Sequence, residues 1–504
     1  MKKTFQEKWL LQQKKAEATS CFLVGAIEEH STLSEFSEYN HVVWFVEEEK
    51  LPSESTLYQN VYPMTLETVD KSNVDEIIQM LSDENMVHTP DIFCTEHILE
   101  NYSVSYEYII QRIQIFLENK KRGVNTHMFH GFISQRKVIS NIPNFIKNKF
   151  SDNFENSIEG VPAAIIGAGP SLDVSIRLLE KYHKKMLIFC TDSAVKSLSK
   201  ANIDPDAIIT VDVTKLPENY LEENRAVKSL FLSLKSPQEW VDKSESNTHF
   251  LSGSNLADSF LELNGISATK CKIVGNCGVT ALNISMFLGC SPIILFGMDH
   301  AVDDSGKRWT GDLAEREARM SSHIHDTTVE GNYTSNIKCG VSHELEVFKQ
   351  VASRTSPNQE IWNINDRGAK VDNAKLIHPD NFTFDFENLS KDKNLFLKSD
   401  SSDQKAIKKI MGILSKCLKK NKSIIKKLKS NKKIEDEELC LHLANLFKDK
   451  NIFKICGNFS LKISPLIIKW DELPASLKHT LRLETKEIIE DIQTLHTSLL
   501  ETSK

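Results

Sequence analysis

Four- and five-residue apolar runs alternate with longer amphipathic stretches through the middle of the chain. Ala163-Ala164-Ile165-Ile166 is followed by the segment 172–182, then by Met186-Leu187-Ile188-Phe189-Cys190, by 195–201 and by Ala207-Ile208-Ile209-Thr210-Val211. Short runs that are apolar at every position suit strands buried on both faces, and the helical periodicity between them suits crossover helices. The order βαβαβ predicts a parallel sheet with right-handed connections. Further strands are predicted at 229–234, 271–274, 292–296 and 360–363, with a helix at 279–288. Residues 161–385 are expected to form a Rossmann-like α/β domain built on a doubly wound parallel sheet.

The flanks follow other rhythms. Segments 21–25 and 42–46 are strand-like, and 104–118 carries Ile109, Ile113 and Phe116 on one side of a helix. Residues 1–135 are therefore expected to be a smaller α/β domain, joined through a helical linker at 136–160. The segment 386–504 is expected to be an all-helical domain. Between Lys405 and Lys433 lie twelve lysines and no acid, while Ile407, Ile410, Leu414, Ile425 and Leu428 recur at helical spacing. This run reads as a solvated face, the alternative being a docking surface for an acidic protein, a nucleotide or an anionic membrane. Glu435 to Glu438 then open the next helix at its electropositive end.

Composition narrows the class. A chain of 504 residues exceeds one ordinary core, and 40% hydrophobic with 26% charged residues is the balance of a globular protein. No run of 18 apolar residues predicts a transmembrane segment, and the basic N-terminus lacks the apolar stretch of a secretory signal. Ten cysteines without a C-x-x-C pair suit reduced thiols and a cytoplasmic location. A net charge of −7 argues against nucleic acid as a partner.

The sharpest local signal is Gly167-Ala168-Gly169-Pro170-Ser171-Leu172-Asp173, between a predicted strand and a predicted helix. Glycines permit a tight turn and a close approach, and a helix start offers unpaired N–H groups to a phosphate. Leu172 stands where the dinucleotide fingerprint has its third glycine, so the turn is either a phosphate site or a Ser-capped strand-to-helix junction. Other candidates gather at predicted carboxyl ends of strands, where an open α/β sheet forms its crevice. They are Asp192, Asp212, the small-residue turn Gly275-Asn276-Cys277-Gly278, and Gly297-Met298-Asp299-His300. Asp299 is the leading polar candidate for catalysis and His300 the second. Cys277 reads as a small residue in a tight turn. His323-Ile324-His325-Asp326 has the look of a metal cluster, but three or four converging ligands are needed, and no metal site is assigned.

These motifs together resemble the central domain of the motility-associated factor (Maf) flagellin glycosyltransferases. The resemblance rests on Gly167-x-Gly169-Pro170-Ser171-Leu172, Thr191-Asp192-Ser193-Ala194, Ile203-Asp204-Pro205-Asp206 with Asp212, and Gly297-Met298-Asp299. It continues through Glu330-Gly331-Asn332-Tyr333-Thr334 and Asn363-Ile364-Asn365-Asp366-Arg367-Gly368-Ala369, in order over 160–385. It implies transfer of a nonulosonic acid, such as pseudaminic or legionaminic acid, from a CMP-activated donor to Ser or Thr of flagellin. The same domain is similar to family 42 sialyltransferases, where the first glycine turn holds CMP. By that similarity Gly167, Gly169 and Ser171 meet the phosphate, Asp192 meets the nucleotide, and Asn276, Cys277 and Gly278 face donor and phosphate. The sialyltransferases use a His base, for which His300, His323, His325 and His343 are the candidates here. Their tyrosine pair has Trp309 and Tyr333 as the nearest aromatics, and Arg367 is a further candidate contact.

Two alternatives stand beside the transferase, for which no cofactor is firmly implied. Archaeal MptE-like hydroxymethylpterin diphosphokinases share the domain; that activity would bring ATP and Mg2+, with Asp206, Asp212 and Asp299 as ligands. The third is a non-catalytic module whose helical domain binds a partner.

Overall fold

The computed structural model describes residues 20–27, 30–51, 58–67, 90–95, 98, 104–222, 227–253, 256–311, 327–389, 404–430, 434–468 and 470–502. By internal contacts the chain forms two compact units, one of residues 1–129 with 461–471 and one of residues 130–460 with 472–504.

In the first unit, β1 (Ser20–Val24), β2 (His41–Val46), β3 (Val61–Thr65) and β4 (Asp91–Cys94) form a parallel sheet in the order β3-β2-β1-β4. Side chains alternate between the two faces of a strand. Phe22, Val24, Phe45 and Ile92 accordingly meet Tyr106, Ile109 and Ile113 at the start of helix α1 (Val104–Asn148). Leu23, Trp44 and Phe93 bury the other face against Leu33, Phe36 and Tyr39.

The second unit is built on eight strands: β5 (Ala163–Ile166), β6 (Leu187–Thr191), β7 (Ala207–Thr210), β8 (Val227–Ser233), β9 (Ser244–Leu251), β10 (Ile293–Phe296), β13 (Ile361–Ile364) and β14 (Lys375–Ile377). Their order is β14-β13-β10-β5-β6-β7-β8-β9, and every pairing is parallel. A separate antiparallel pair, β11 (Thr327–Val329) and β12 (Ile337–Cys339), stands apart from it. The chain walks outward from β5 to β9 and returns to β10 on the other side of β5, which makes the β5–β10 gap the switch point of the sheet.

Outward steps and the return place helices on opposite faces. The crossovers α2 (Leu172–Tyr182) and α3 (Val195–Lys200) are neighbours in the outward walk, with the shorter α4 (Leu256–Leu263) after β9. On the return, α5 (Cys277–Phe287) lays Val279, Leu282 and Ile284 on Ile165, Phe189 and Ile209, and Leu345 and Phe348 of α6 (Ser342–Ala352) complete that core.

The expected strand 271–274 is not formed. That segment makes a single bridge, Lys272 to Ser252 beyond β9, and the edge position belongs to β9. From residue 404 the described chain is helical: α7 (Gln404–Lys420), α8 (Lys422–Lys429), α9 (Asp436–Phe447), α10 (Lys450–Ile455), α11 (Gly457–Ile468) and α12 (Ala475–Thr502). Ile407, Ile410, Leu414, Ile425 and Leu428 are buried as their spacing predicts. Among the described residues no helix is long and apolar enough to cross a membrane.

Candidate functional site

The turns after β5, β6, β7 and β10 meet the first turn of α5 around one cavity of about 670 Å3 at the carboxyl edge of the large sheet. Ten of the residues singled out by sequence line it: Gly167, Gly169, Asp192, Asp212, Asn276, Cys277, Gly278, Asp299, His300 and Trp309. Ser171, Tyr333 and Arg367 do not. Ser171 is fully buried, Tyr333 is half exposed and donates its hydroxyl to the Asn365 carbonyl, and Arg367 pairs with Asp366 and Asp303. His323, His325 and Asp326 lie outside the described residues.

The glycine turn after β5 is filled by protein. Gly167 N–H donates to the Phe296 carbonyl and Gly169 N–H to the Gly297 carbonyl, each at 2.8 Å. Ser171 donates its N–H to Asp299 Oδ2 at 2.7 Å and its hydroxyl to Asp299 Oδ1, so it does not cap α2. A Cβ on Gly169 would stand 2.6 Å from Asp299 Oδ2, and one on Gly167 2.5 Å from the Gly297 carbonyl. The close approach that requires glycine here is that of the β10 turn, at the switch point itself. The Gly167, Gly169 and Ser171 N–H groups that the sequence offered to a phosphate are thus spent on Phe296, Gly297 and Asp299.

Asp299 is the centre of that junction. It is 2% exposed and also accepts from Asn365 Nδ2 at 2.8 Å. Burial pushes its pKa up, against the pull of the Ser171 and Asn365 donors. Its geometry is that of a brace between three turns, with both oxygens occupied.

The turn that opens α5 is built the other way. Gly275 takes φ +54°, a conformation that favours glycine, and Asn276 caps the helix by accepting from Val279 N–H at 3.0 Å. The next N–H groups, those of Cys277 and Gly278, have no protein acceptor among the described residues. Two bare donors and the positive end of an 11-residue helix therefore face the cavity.

Charged groups surround this opening. Asp192, 1% exposed, accepts from Ser193 N–H at 2.6 Å and from the Cys277 thiol at 3.5 Å. Lys215 Nζ lies 3.5 Å from Asp192 Oδ1, donates to Ser193 Oγ, and sits 5.3 Å from the centre of the Tyr220 ring. Burial, reinforced by the Asp192 carboxylate, holds the Cys277 thiol pKa well above its ordinary value, so the thiol stays protonated and is no nucleophile. Asp212 closes a local turn by accepting from Thr214 N–H and Oγ1.

His300 follows Asp299 in a left-handed conformation, φ +48°, and its ring stacks on Phe348 with centroids 5.0 Å apart. Nδ1 faces the Met298 carbonyl at 3.4 Å, and Nε2 faces Asn276 Nδ2, also at 3.4 Å. This contact assigns the proton to Nδ1 and a lone pair to Nε2. Burial lowers the imidazole pKa; Glu344, which accepts from Asn276 Nδ2 at 2.5 Å, and the Met298 carbonyl pull it back up. The ring is a neutral base at neutral pH.

Lys215, Arg308 and Glu344 line the cavity without having been singled out by sequence. Lys215 lies three residues past Asp212 at the same strand end, which is the one signal that could have found it. Two of the three acids proposed for Mg2+ do not fit that group. Asp206 sits at the opposite, amino edge of the sheet, bonded to Ile188 N–H and Lys228, while Asp299 is consumed by Ser171 and Asn365. Among the described residues no group of three or more His, Cys, Asp or Glu is arranged to hold a metal.

Residues 136–305 match the family described as 6-hydroxymethylpterin diphosphokinase MptE-like. No curated protein matches the chain in sequence. Among solved structures, the Maf glycosyltransferase of Magnetospirillum magneticum AMB-1 is similar over 96% of this chain and 79% of its own, with 13% identity and a TM-score of 0.53. The monofunctional α-2,3-sialyltransferase Cst-I of Campylobacter jejuni aligns with 53% of this chain and 96% of its own, at 14% identity and a TM-score of 0.23, a value at which whole folds do not superpose. The resemblance drawn from the motifs is thus met in the central segment by the MptE-like family and across the chain by the Maf fold.

Proposed function

We propose that the chain is a glycosyltransferase that moves a nonulosonic acid from a CMP-activated donor to Ser or Thr hydroxyls of a protein, flagellin being the acceptor implied by the motif resemblance. The observation that carries this reading is the pairing, in one cavity, of a bare helix start at Cys277 and Gly278 with the neutral imidazole of His300. Transfer forms a bond from the acceptor oxygen to the anomeric carbon and breaks the bond from that carbon to the phosphate oxygen. The electron pair leaves with CMP, and the hydroxyl proton passes to His300 Nε2, where the acceptor hydroxyl replaces the long 3.4 Å contact with Asn276 Nδ2. The Cys277 and Gly278 N–H groups stabilise the departing phosphate, and Lys215 adds a positive charge beside it. Asn276 joins the two halves, since it caps the helix through its oxygen and orients His300 and Glu344 through its nitrogen.

The family match over 136–305 favours a second reading, pyrophosphoryl transfer from ATP to a hydroxymethylpterin. The poor fit of Asp206 and Asp299 to a metal counts against it, as does a Maf-like fold running through the flanking regions. A thermal-shift screen with CMP, CDP, UDP, GDP, ATP and NAD separates the two. Selective stabilisation by CMP, about 2.7 kcal/mol at a hundredfold excess over Kd, supports the transferase. Selective stabilisation by ATP, with AMP released when a pterin is added, overturns it.

A further inference from the structure

The lysine run of α7 and α8 falls into two groups once the fold is known. Lys420, Lys427 and Lys429 pair with Asp449, Glu438 and Glu490, and Lys409 donates to the Leu263 carbonyl. Lys408, Lys416, Lys419, Lys422 and Lys426 are exposed, with no partner among the described residues. Helical hydrogen bonds run through Asn421, from its N–H to the Cys417 carbonyl and from Ile425 N–H to its own carbonyl, so α8 prolongs α7. At 3.6 residues per turn these five lysines fall within an arc of about 120°. Ile410, Leu414, Cys417 and Leu428 are buried on the opposite side. The exposed Gly412 and Ser423 fill the rest of the lysine arc.

We propose that this face docks the protein on an anionic bilayer surface, with the five lysines among the phosphate headgroups. The proposal goes beyond the transferase reading and does not depend on the reaction in the main cavity. A helix face that is only solvated mixes both signs of charge, as α12 does with Lys478, Arg482 and Lys486 beside Glu484, Glu487 and Glu490. Here Lys416–Lys419, Lys419–Lys422 and Lys422–Lys426 set like charges three or four residues apart, which destabilises a helix unless an outside anion relieves it. No acid lies between Lys405 and Lys433, and Glu487 and Asp491 of α12 hold Arg136 instead. The composition selects the occupant. Protein interfaces favour Arg and aromatic anchors and are poor in lysine, and residues 404–430 contain no Arg, Trp, Tyr or Phe. Lysines clustered on an amphipathic helix are hydrated point charges suited to the diffuse field of anionic lipid. The apolar side of the helices is already buried in the protein, so the contact is electrostatic and peripheral, without insertion. The net charge of −7 on the whole chain confines the attraction to this face.

The test is co-sedimentation of the full chain with vesicles, either phosphatidylcholine alone or equal parts of phosphatidylcholine and phosphatidylglycerol, at low and high salt. The wild type should bind the mixed vesicles, release them as salt rises, and leave the neutral vesicles unbound. Each lysine removed should weaken binding about fivefold, so the Lys408→Gln, Lys416→Gln, Lys419→Gln variant should bind about a hundredfold more weakly. The same three positions changed to Arg should bind as the wild type does. Urea unfolding should show the Gln variant at least as stable as the wild type, because only exposed like charges are removed, so its loss of binding reports the face itself. No binding to the mixed vesicles, equal binding to neutral ones, or a Gln variant that binds like the wild type overturns the proposal. So does labelled polyglutamate that displaces the mixed vesicles and needs the same lysines, an outcome that assigns the face to an acidic protein.

Discussion

Two turns into helices at the same sheet edge, Gly167–Asp173 and Gly275–Val279, look alike in sequence and do opposite things. The first has the stronger motif, yet its Gly167, Gly169 and Ser171 N–H groups end on the Phe296 and Gly297 carbonyls and on Asp299. The second has a weaker motif and keeps the Cys277 and Gly278 N–H groups open to the cavity. Glycine enforces closeness in both, to the β10 turn at Gly167 and Gly169 and to Met298 at Gly278, so it is the fate of the N–H groups that separates the two turns. On the proposed reading the first turn is the frame and the second, whose Cys277 and Gly278 N–H groups stay open, is the binding end.

The largest effect should fall on the open side. His300→Asn keeps a residue that tolerates the left-handed backbone and removes the base. Turnover of a CMP-linked nonulosonic acid should fall about a thousandfold, with CMP affinity changed only a few-fold, as single-turnover and titration measurements would report. Next comes the frame. Asp299→Ala strips the acceptor from Ser171 N–H, Ser171 Oγ and Asn365 Nδ2 in a buried site and should cost about 3 kcal/mol in urea unfolding. A loss of turnover from this variant with full stability would make Asp299 a catalytic group after all. Lys215→Met should weaken CMP binding about tenfold and flatten its salt dependence, measured by calorimetry at two ionic strengths.

The smallest effect is a pH shift. His300 acts while unprotonated, so the rate should fall as pH drops through its lowered pKa, further into acid than an ordinary imidazole would allow. Glu344→Gln removes a charge that raises this pKa, so the acid limb should move to still lower pH. The folded state holds His300 less protonated than the unfolded chain, so the stability tied to this residue is lost as pH falls from the ordinary imidazole range.

Much of this was legible before any coordinates. Fully apolar runs such as Ala163-Ala164-Ile165-Ile166 marked the central strands because burial on both faces leaves no polar position. β9, beginning Ser244-Glu245-Ser246-Asn247, escaped notice because an edge strand pairs on one side only and carries no such run. The apolar residues of 271–274 imitated a strand while serving as a connection. At the site, the strand ends pointed to Asp192, Asp212 and His300, since topology alone sends them to one edge, while Asn276 was singled out from a strand that does not form and reaches the edge as the cap of α5. What approaches a Gly-x-Gly turn was not legible, because a phosphate and the Gly297 carbonyl make the same demand on Cβ. Lys215 was missed because its role depends on reaching Asp192 across two strand ends, a relation that no local pattern records.

The central claim is that the start of α5, and not the glycine turn after β5, receives the phosphate. A crystal structure of the chain with CMP tests it most directly. The account predicts phosphate oxygens within hydrogen-bonding distance of Cys277 and Gly278 N–H, with the Gly169–Gly297 and Ser171–Asp299 bonds intact. A phosphate seated on Gly167 to Ser171, with those bonds broken to admit it, would contradict the account.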